Sequence, residues 1–397
     1  MAATAQLLQF AREQLFPTYG QPDVVMVRGE GPWLFDSEER RYLDLSGGLS
    51  VNALGHAHPV IAEAIAEQAR RFGHISNIFF NDKTTQLAHE LCARSFADAV
   101  FFANSGAEAN EAAIKLARRY FHSRGEARHE VVSAVRSFHG RTLGALAATG
   151  QPRYHEGFRP LPEGFHHVPY GDIDALASAV SSKTALAMLE PMQGEGGVVL
   201  PPPGYLEAAR RLCNEAGCLL HFDEVQVGMG RTGKLFCHEH DGVIPDMMSL
   251  AKALGGGLPL GALVTKRDVA EGLVLGSHAS TFGGNPIACA AGLAFLRVVD
   301  EEGLVARSAA IGERTLATLR SELGGVPGIV DVRGRGCLIG IELATPARAV
   351  LDRLRERRLL VSVVRDTVIR LAPPFNIPFE ALDLGLATLV EVLTTRA

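Results

Sequence analysis

The chain has 397 residues, of which 47% are hydrophobic and 21% are charged, and its formal net charge is −5. This length allows a large core and favours two domains, because a single core usually splits near this size. No block of like charge resembles a nucleic-acid-binding arm or a polybasic membrane patch, so the expected partners are small molecules and other copies of the chain.

The N-terminus and the cysteines predict a cytoplasmic protein. Met1–Phe16 lacks the basic start and the apolar run of a signal peptide. No stretch of the sequence reaches the ~18 uninterrupted apolar residues that a membrane helix needs. The six cysteines are scattered and form no Cys-x-x-Cys pair, which favours reduced thiols. No metal site is predicted.

The first part of the chain, residues 1–45, is predicted to join a small domain formed mainly by the C-terminus. Within it, Gly29–Asp36 is typical of a β-hairpin. The hairpin is expected to lead into the large domain, which is placed at residues 46–290.

The large domain is predicted to have an α/β fold. From about Ala97 to Leu263, short apolar runs alternate with amphipathic stretches, which is the pattern of a mostly parallel sheet covered by helices. The predicted strands are Val100–Ala103, Val131–Val135, Ala185–Leu189 and Cys218–Phe222, and the predicted helices are Ala107–Phe121 and Tyr205–Ala216.

The segment Ala103–Glu111 follows a buried strand and opens a helix. Such a junction offers unpaired backbone N–H groups and the positive end of the helix dipole, so it suits a phosphate. The ordinary alternative is a strand-to-helix turn capped by Ser105. The segment has neither the Gly-x-Gly-x-x-Gly pattern of a Rossmann dinucleotide site nor the Gly-Lys-Ser/Thr ending of a nucleotide-triphosphate loop.

Asp223 ends an apolar strand and therefore projects at the carboxyl edge of the sheet, where α/β proteins bind ligands. One partner for a carboxylate at this position is a protonated pyridine nitrogen, because a nearby anion raises the pKa of that nitrogen. A helix cap or a structural ion pair explains the residue equally well.

Lys252 lies between a short apolar run and three consecutive glycines, Gly255–Gly257. Most lysines are solvated, but a desolvated lysine loses its proton more readily and becomes a nucleophile suited to Schiff-base chemistry. The spacing alone is compatible with this role and does not require it.

The region after Ala290 is rich in arginine and glutamate, and residues 291–397 are predicted to form a smaller α+β domain. Its predicted helices are Gly292–Glu301, Leu304–Leu323 and Pro346–Arg358, and the glycine-dense Val332–Gly336 is taken as a break between them.

Two arginines are candidates for binding carboxylates, Arg141 in the segment Phe138–Thr142 and Arg370 in the segment Ile369–Pro374. The planar guanidinium binds a carboxylate through two hydrogen bonds, so a pair of arginines suits a dicarboxylate such as 2-oxoglutarate. The ordinary alternative for each is a surface salt bridge, with Ile369 and Leu371 flanking Arg370 in an edge strand.

Six ordered motifs together resemble the class III pyridoxal-phosphate-dependent aminotransferases. Within that class the chain is most similar, from about Tyr19 to Pro374, to the acetylornithine and succinylornithine aminotransferases. The motifs are Asn104–Glu111, Phe138–Thr142, Glu190–Glu195, Asp223–Gly233, Ala251–Gly257 and Ser280–Pro286.

The resemblance implies fold type I of the pyridoxal-phosphate-dependent transferases and a cofactor role for each matching position. Lys252 would carry the cofactor as a Schiff base, and Asp223 would pair with the pyridine nitrogen. Thr281 would reach the phosphate of the neighbouring subunit, which implies a homodimer with shared active sites. The other implied cofactor contacts are Ser105, Gly106 and Ala107 at the phosphate, Phe138 against the ring, Gln226 at the phenolic oxygen, and Glu224 and Val225 in the same motif as Asp223.

The resemblance also implies the substrate contacts. Arg141 would bind the α-carboxylate of the donor. Glu195 would pair with Arg370 when the donor binds and swing aside for 2-oxoglutarate, because an unpaired arginine in a closed site costs several kcal/mol. Ser280 and Tyr19 are further implied contacts. Leu49 would stand in the wall of the substrate channel, where ornithine aminotransferases carry a tyrosine, and so favours a donor with an acylated α-amine.

The predicted function is transfer of the δ-amino group of N2-acetylornithine, or of N2-succinylornithine, to 2-oxoglutarate in two half-reactions. The alternatives are another ω-amino donor, namely ornithine, 4-aminobutyrate or an acylated precursor of lysine or diaminopimelate. An aminomutase would not need both arginines. A catalytically inactive binding protein on the same fold would not need Lys252, Asp223 and Arg141 together.

Overall fold

The computed structural model describes residues 4–20 and 23–395 and shows an α/β protein with three β-sheets. The largest sheet has seven strands in the order β4-β10-β9-β8-β7-β5-β6. These strands are β4 (Ala99–Ala103), β5 (Glu130–Ala134), β6 (Phe165–Val168), β7 (Thr184–Leu189), β8 (Leu219–Asp223), β9 (Met247–Leu250) and β10 (Gly261–Thr265).

All strands of this sheet run parallel except β10, which is antiparallel to both of its neighbours. β7, β8, β9 and β10 are buried throughout, as expected for strands that are covered by helices on both faces. The carboxyl ends of β4, β5, β7, β8 and β9 therefore meet at one edge of the sheet, which positions the loops that follow them. The predicted parallel sheet is present, and its predicted strands match within one residue at each end.

The helices of the first 270 residues are α1 (Thr4–Gln14), α2 (Gly47–Ser50), α3 (Pro59–Arg71), α4 (Asp82–Ala93), α5 (Gly106–His122), α6 (Leu143–Ala148), α7 (Ile173–Ala179), α8 (Tyr205–Ala216) and α9 (Arg267–Ala270). α2 is a single irregular turn, because Gly48 and Leu49 have left-handed dihedral angles. α8 has the predicted bounds, and Gly217 ends it in the left-handed conformation that glycine favours.

The N-terminal segment shares a four-stranded sheet with a C-terminal strand. β1 (Met26–Glu30) and β2 (Trp33–Asp36) form the predicted hairpin, β3 (Arg41–Asp44) pairs with β2, and β13 (Leu359–Leu360) adds in parallel to β3. The N-terminus and the C-terminal region are therefore joined by backbone hydrogen bonds. The domain boundaries at residues 45 and 290 stay a prediction.

The C-terminal region contains a second four-stranded sheet and four helices. The sheet has the order β11-β12-β15-β14, so that Arg370 on β15 lies in an interior strand and not in the edge strand that was considered. The strands are β11 (Ile329–Arg335), β12 (Leu338–Leu343), β14 (Ser362–Val364) and β15 (Val368–Leu371), and the helices are α10 (Pro286–Glu301), α11 (Leu304–Leu323), α12 (Arg348–Glu356) and α13 (Phe379–Thr394).

Three C-terminal predictions differ from the structure, and the smallest difference is that α12 is two residues shorter at each end than the predicted Pro346–Arg358. Helix α10 begins six residues before the predicted Gly292, because Asn285 caps its N-terminus and Pro286 occupies its first turn. The segment Val332–Gly336 is not a break, because it continues β11 and turns into β12.

Arg231 connects the regions of the chain through a buried guanidinium. It donates to the carbonyl oxygens of Ser50, Cys337 and Pro373 and stacks on Phe375. In the described residues all six cysteines are free, and no helix is long and apolar enough to cross a membrane.

Candidate active site

A cavity of about 460 Å³ opens at the carboxyl edge of the seven-stranded sheet. Its walls are built by the loops that follow β4, β5, β7, β8 and β9. The predicted site residues in the lining are Ser105, Gly106, Ala107, Phe138, Arg141, Glu195, Asp223, Val225, Gln226 and Lys252. The fold thus brings together residues that lie up to 147 positions apart in the sequence.

One end of the cavity is formed by the turn between β4 and α5. The Ser105 hydroxyl accepts a hydrogen bond of 3.2 Å from the Glu108 N–H and so caps the helix. A Cβ atom on Gly106 would lie 2.6 Å from Val225 Cγ1, so only glycine allows this close packing. The first N–H groups of α5 and its dipole provide anion-binding capacity at this end.

Asp223, at the end of β8, is a buried carboxylate with three donors. Its Oδ2 atom accepts hydrogen bonds of 2.7 Å from Asn110 Nδ2 and of 2.7 Å from His139 Nδ1, and its Oδ1 atom accepts one of 3.0 Å from the Val225 N–H. Burial alone would raise the pKa of Asp223, but the hydrogen bond and charge of His139 and the further donors hold it below its ordinary value of 3.8. Asp223 is therefore an anion whose Oδ1 atom can accept from one more donor.

Asn110 and His139 were not predicted as site residues, although they belong to the motifs Asn104–Glu111 and Phe138–Thr142. Asn110 Nδ2 also donates to the His139 carbonyl at 2.7 Å, and Asn110 Oδ1 accepts from His221 Nε2 at 3.3 Å. Burial lowers the pKa of His221 to about 3, so this imidazole is neutral. Asn110 follows Gly106 by four positions and therefore lies on the same face of α5 as the cavity. This helical spacing is the sequence signal from which Asn110 could have been predicted.

Lys252 follows β9 and has an unusual backbone. Its φ angle is +47°, a left-handed value that a residue with a Cβ atom rarely adopts and that often marks a functional site. Burial lowers the pKa of Lys252 to about 8, against the opposing charge of Glu195, while the charge of Arg370 lowers it further. A substantial fraction of neutral amine therefore exists near physiological pH.

Besides Asp223, the lining contains the buried carboxyl group of Glu190, for which the sequence analysis predicted no role. Its two oxygens accept from the N–H groups of Phe138 and Gly194, at 3.3 Å and 3.2 Å. Burial and the neighbouring charge of Asp223 raise its pKa well above its ordinary value. Glu190 thereby links the loop of Phe138 to the turn that carries Glu195.

Glu195 lines the cavity and forms an ion pair with Arg370, which lies outside the lining. Arg370 is only 1% exposed and also donates to Gln226 Oε1 at 2.9 Å and, through Nε, to Ser362 Oγ at 3.0 Å. Gln226 Nε2 donates to Glu195 Oε1 at 3.1 Å. Burial raises the pKa of Glu195, but the charges of Arg370 and Lys252 and the two hydrogen bonds lower it below its ordinary value. Gln226 therefore bridges the two charged groups.

Arg141 lines the cavity without an ion pair to any residue in the described ranges. The loop that carries it is held from behind by Glu111, which accepts from the Thr142 hydroxyl at 2.6 Å and from the N–H groups of Gly144 and Ala145 at the start of α6. Its guanidinium group is free to bind a carboxylate.

Six predicted site residues lie outside the lining, and one of them is Arg370, which contacts the lining residues Glu195 and Gln226. Glu224 points into the protein, where its carboxylate accepts from the N–H groups of Cys237 and His238 and from His238 Nδ1, so its contacts are structural. Ser280 borders the site and lies 3.3 Å from Asn104 Nδ2. Thr281 is exposed, and Leu49 and Tyr19 are 55% and 87% exposed.

Comparison with known proteins gives full-length matches. The sequence model of the family described as "Aminotransferase class-III" matches residues 17–393. The chain is 46% identical over 389 residues to the acetylornithine aminotransferase of Methanothermobacter thermautotrophicus, covering 98% of both chains. It is 46% identical over 394 residues to that of Caldanaerobacter subterraneus, covering 98% of this chain and 99% of the relative.

A solved structure of the ornithine aminotransferase from Toxoplasma gondii, described with partial occupancy of PLP at its active site, has a TM-score of 0.95 to this chain. The two sequences are 34% identical, and the match covers 99% of this chain and 94% of that chain.

Proposed function

The chain belongs to the class-III aminotransferases, which are pyridoxal-phosphate-dependent transaminases of fold type I, and we propose that it transfers the δ-amino group of N2-acetylornithine to 2-oxoglutarate. The family and the fold agree with the prediction from the motifs. The observation that carries the proposal is the convergence of Lys252, Asp223, Arg141 and Glu195 on one cavity, with Arg370 paired to Glu195. The cytoplasmic location stays a prediction.

The residues present fit pyridoxal phosphate. The start of α5 at Ser105–Ala107 offers N–H groups and a positive dipole for the phosphate, and the absence of a Cβ atom on Gly106 lets Val225 pack against that turn. Asp223 has a free acceptor position for the pyridine N–H, and Phe138 and Val225 line the space between. Lys252 supplies the amine that can hold the cofactor.

Bound pyridoxal phosphate supplies an electrophilic carbon for the amino group and an electron-withdrawing ring for the loss of the neighbouring proton. Asp223 keeps its negative charge because His139 and Asn110 donate to it, and this charge stabilises a protonated pyridine nitrogen. We assign to Lys252 Nζ the transfer of the proton, because an amine with a pKa of about 8 can both accept and return a proton near neutral pH.

The two arginines give the site its substrate chemistry. Arg141 is proposed to bind the carboxylate remote from the reacting carbon, which both N2-acetylornithine and 2-oxoglutarate possess. Only 2-oxoglutarate also has a carboxylate next to the reacting carbon, and we assign that carboxylate to Arg370. With the donor bound, Glu195 would neutralise Arg370, and the ion pair between the two residues supports this assignment.

The donor is proposed from the relatives, since two proteins 46% identical over nearly the full chain are named acetylornithine aminotransferases. We propose that Leu49, which is exposed and outside the lining, stands in the wall of the substrate channel, where an aliphatic residue offers no polar partner to the free α-ammonium group of ornithine.

We also propose a homodimer in which Thr281 reaches the neighbouring site. Thr281 is exposed and is bordered by exposed apolar side chains that a monomer rarely presents together. These side chains are Ile78, Phe79, Phe80, Leu275 and Phe282.

The experiment is a panel of donors with 2-oxoglutarate, in which glutamate formation gives kcat/KM for N2-acetylornithine, N2-succinylornithine, ornithine and 4-aminobutyrate. We expect N2-acetylornithine to exceed ornithine and 4-aminobutyrate by at least about tenfold, the effect of roughly 1.4 kcal/mol of discrimination. Lys252→Ala provides the background rate. A higher value for ornithine or 4-aminobutyrate would contradict the proposed donor.

A further inference from the structure

Arg141 is held by aromatic contacts and has no charged partner among residues 4–20 and 23–395. The carbon of its guanidinium lies 3.9 Å from the centre of the Tyr154 ring and 5.3 Å from that of Phe138. The two rings meet edge to face, with centres 5.9 Å apart and an interplanar angle of 85°. Phe138 lines the cavity, whereas Tyr154 lies behind the lining.

Tyr154 is fixed in place from both sides. It ends a short 3-10 turn, Pro152–Tyr154, whose preceding residue Gln151 is buried and donates to the carbonyl oxygens of Arg136 and Ser137, just before Phe138. His155 follows it and lies with Nε2 2.8 Å from the Thr149 carbonyl oxygen. The hydrogen bonds of its two neighbours thus fix the backbone of Tyr154, which carries the ring.

We propose that Tyr154 is a positioning residue for substrate binding, because its ring orients the Arg141 guanidinium for the carboxylate remote from the reacting carbon. A guanidinium stacked on a ring uses its face for the contact and keeps its N–H groups, which point outwards in its plane, for a carboxylate. An ion pair would instead occupy those donors. The stack also restricts a flexible side chain that would otherwise be ordered only when the ligand binds.

This arrangement gives the two arginines different behaviour. Arg370 must lose its contact with Glu195 before it can bind a carboxylate, whereas Arg141 can bind one with its stacking contact intact. The inference rests on the proposed function, in which Arg141 binds in both half-reactions and Arg370 in only one. Tyr154 is therefore expected to affect both half-reactions alike.

The test compares Tyr154→Leu, which removes the ring, with Tyr154→Phe, which removes only the hydroxyl that accepts from Arg153 Nη2 at 2.9 Å. The probe is glutarate, an unreactive dicarboxylate, and its binding to the holoenzyme is measured by calorimetry. We expect Tyr154→Leu to weaken glutarate about 3- to 30-fold, the range of a cation–π contact, and Tyr154→Phe to bind it nearly as the unsubstituted protein does.

A matched pair of donors separates positioning from a general structural effect. N2-acetylornithine carries the α-carboxylate, whereas its α-carboxamide has the same shape without the charge. Tyr154→Leu should lower kcat/KM for the acid through KM and leave that for the amide unchanged. In an Arg141→Ala background, Tyr154→Leu should have no further effect on glutarate binding, because its partner is gone.

The outcomes distinguish a failure of the role proposed for Tyr154 from a failure of the proposed function. If Arg141→Ala weakens glutarate but Tyr154→Leu does not, the role of Tyr154 is wrong and the proposed function stands. Equal losses for the acid and the amide would likewise overturn it, since a structural defect acts on both. If Arg141→Ala binds glutarate normally, the proposed substrate site itself fails.

Discussion

At the scale of single residues, Asp223 shows how a buried charge is kept. Its carboxylate would lose charge on burial, but Asn110 and His139 donate to one oxygen and the Val225 N–H to the other. The pKa of Asp223 is lower in the folded protein than its ordinary value of 3.8, so the ionised carboxylate stabilises the fold at pH values above 3.8. This stabilisation is lost as the pH falls through the pKa of the folded state. At neutral pH the anion and its donors therefore stabilise both the fold and the charge of the site.

We predict that Asp223→Asn slows turnover by about 100-fold or more while the fold persists. A neutral amide cannot keep the pyridine nitrogen protonated, so the proton is lost more slowly from the bound substrate. The rate is measured by single-turnover changes of the cofactor absorbance, and the unfolding midpoint of the variant serves as the control for folding. A nearly normal rate in a folded variant would remove Asp223 from the mechanism.

Lys252 combines a strained backbone with a desolvated amine. Its left-handed φ angle costs about 1 kcal/mol or more, which the surrounding buried residues must offset. Because its pKa is lowered to about 8, the folded protein holds the proton less firmly than the unfolded chain, and this penalty on stability disappears as the pH rises from 8 towards 10.5.

Lys252 should therefore react with its cofactor as a neutral amine over an unusually low pH range. We predict that covalent recombination of cofactor-free protein with pyridoxal phosphate accelerates with pH around a midpoint near 8, not near 10.5. The absorbance of the bound cofactor follows the reaction. Lys252→Ala should show no such absorbance and no turnover, with a circular dichroism spectrum like that of the unsubstituted protein. A midpoint above 10 would show that the amine is not desolvated.

At the scale of elements, the Glu195–Arg370 pair connects two sheets. Glu195 belongs to the turn after β7 of the seven-stranded sheet, and Arg370 lies on β15 of the C-terminal sheet. Gln226, which follows β8, donates to one partner and accepts from the other. The three elements thus hold a buried cation, and in the proposed function a substrate carboxylate replaces Glu195 as its partner.

We predict opposite effects from removing either member of this pair. Glu195→Ala should slow the half-reaction with N2-acetylornithine and spare the one with 2-oxoglutarate, because Arg370 then lacks an anion only when the donor is bound. Arg370→Ala should impair mainly 2-oxoglutarate, by about 2–5 kcal/mol for a lost buried charge pair. Single-turnover absorbance measures each half-reaction separately. Equal slowing of both half-reactions in both variants would reduce the pair to a structural role.

The elements also show what the sequence can predict. The strands of the seven-stranded sheet and helix α8 follow from apolar runs and glycine stops, which are local signals. The prediction that Val332–Gly336 is a break was wrong, because glycine is needed there for packing against residues distant in the sequence. A Cβ atom on Gly336 would lie 2.5 Å from the Thr232 backbone carbonyl carbon. Tyr154 was missed for the same reason, since its partner Arg141 lies 13 positions away in another turn.

At the scale of the whole molecule, the exposed apolar surface around Thr281 is where the proposed second copy of the chain would bind. Phe80 is 99% exposed, and Asn77 ties its segment to the loop of Thr281 by donating to the carbonyl oxygens of Ser280 and Gly283. Burying such side chains against a partner stabilises a dimer by roughly 1.5–3 kcal/mol for each large residue. Thr281 would then be carried across the interface together with the apolar residues beside it.

We predict that two defective chains restore one another if Thr281 serves the partner's site. In a heterodimer of Lys252→Ala with Thr281→Ala chains, the site built on the intact Lys252 receives Thr281 from the other chain, and the second site carries both defects. One cofactor per heterodimer should therefore survive dialysis as firmly as in the unsubstituted protein, while Thr281→Ala homodimers lose theirs faster. Heterodimers are isolated with two different affinity tags, and retained cofactor is read from its absorbance.

Adding Phe80→Asp to both chains should abolish the effect, because a charge in the apolar surface separates the subunits. Val330→Asp, at an exposed position on β11, should not abolish it. If the heterodimer loses cofactor as fast as the Thr281→Ala homodimer, Thr281 acts within its own chain, since each site would then carry a single defect.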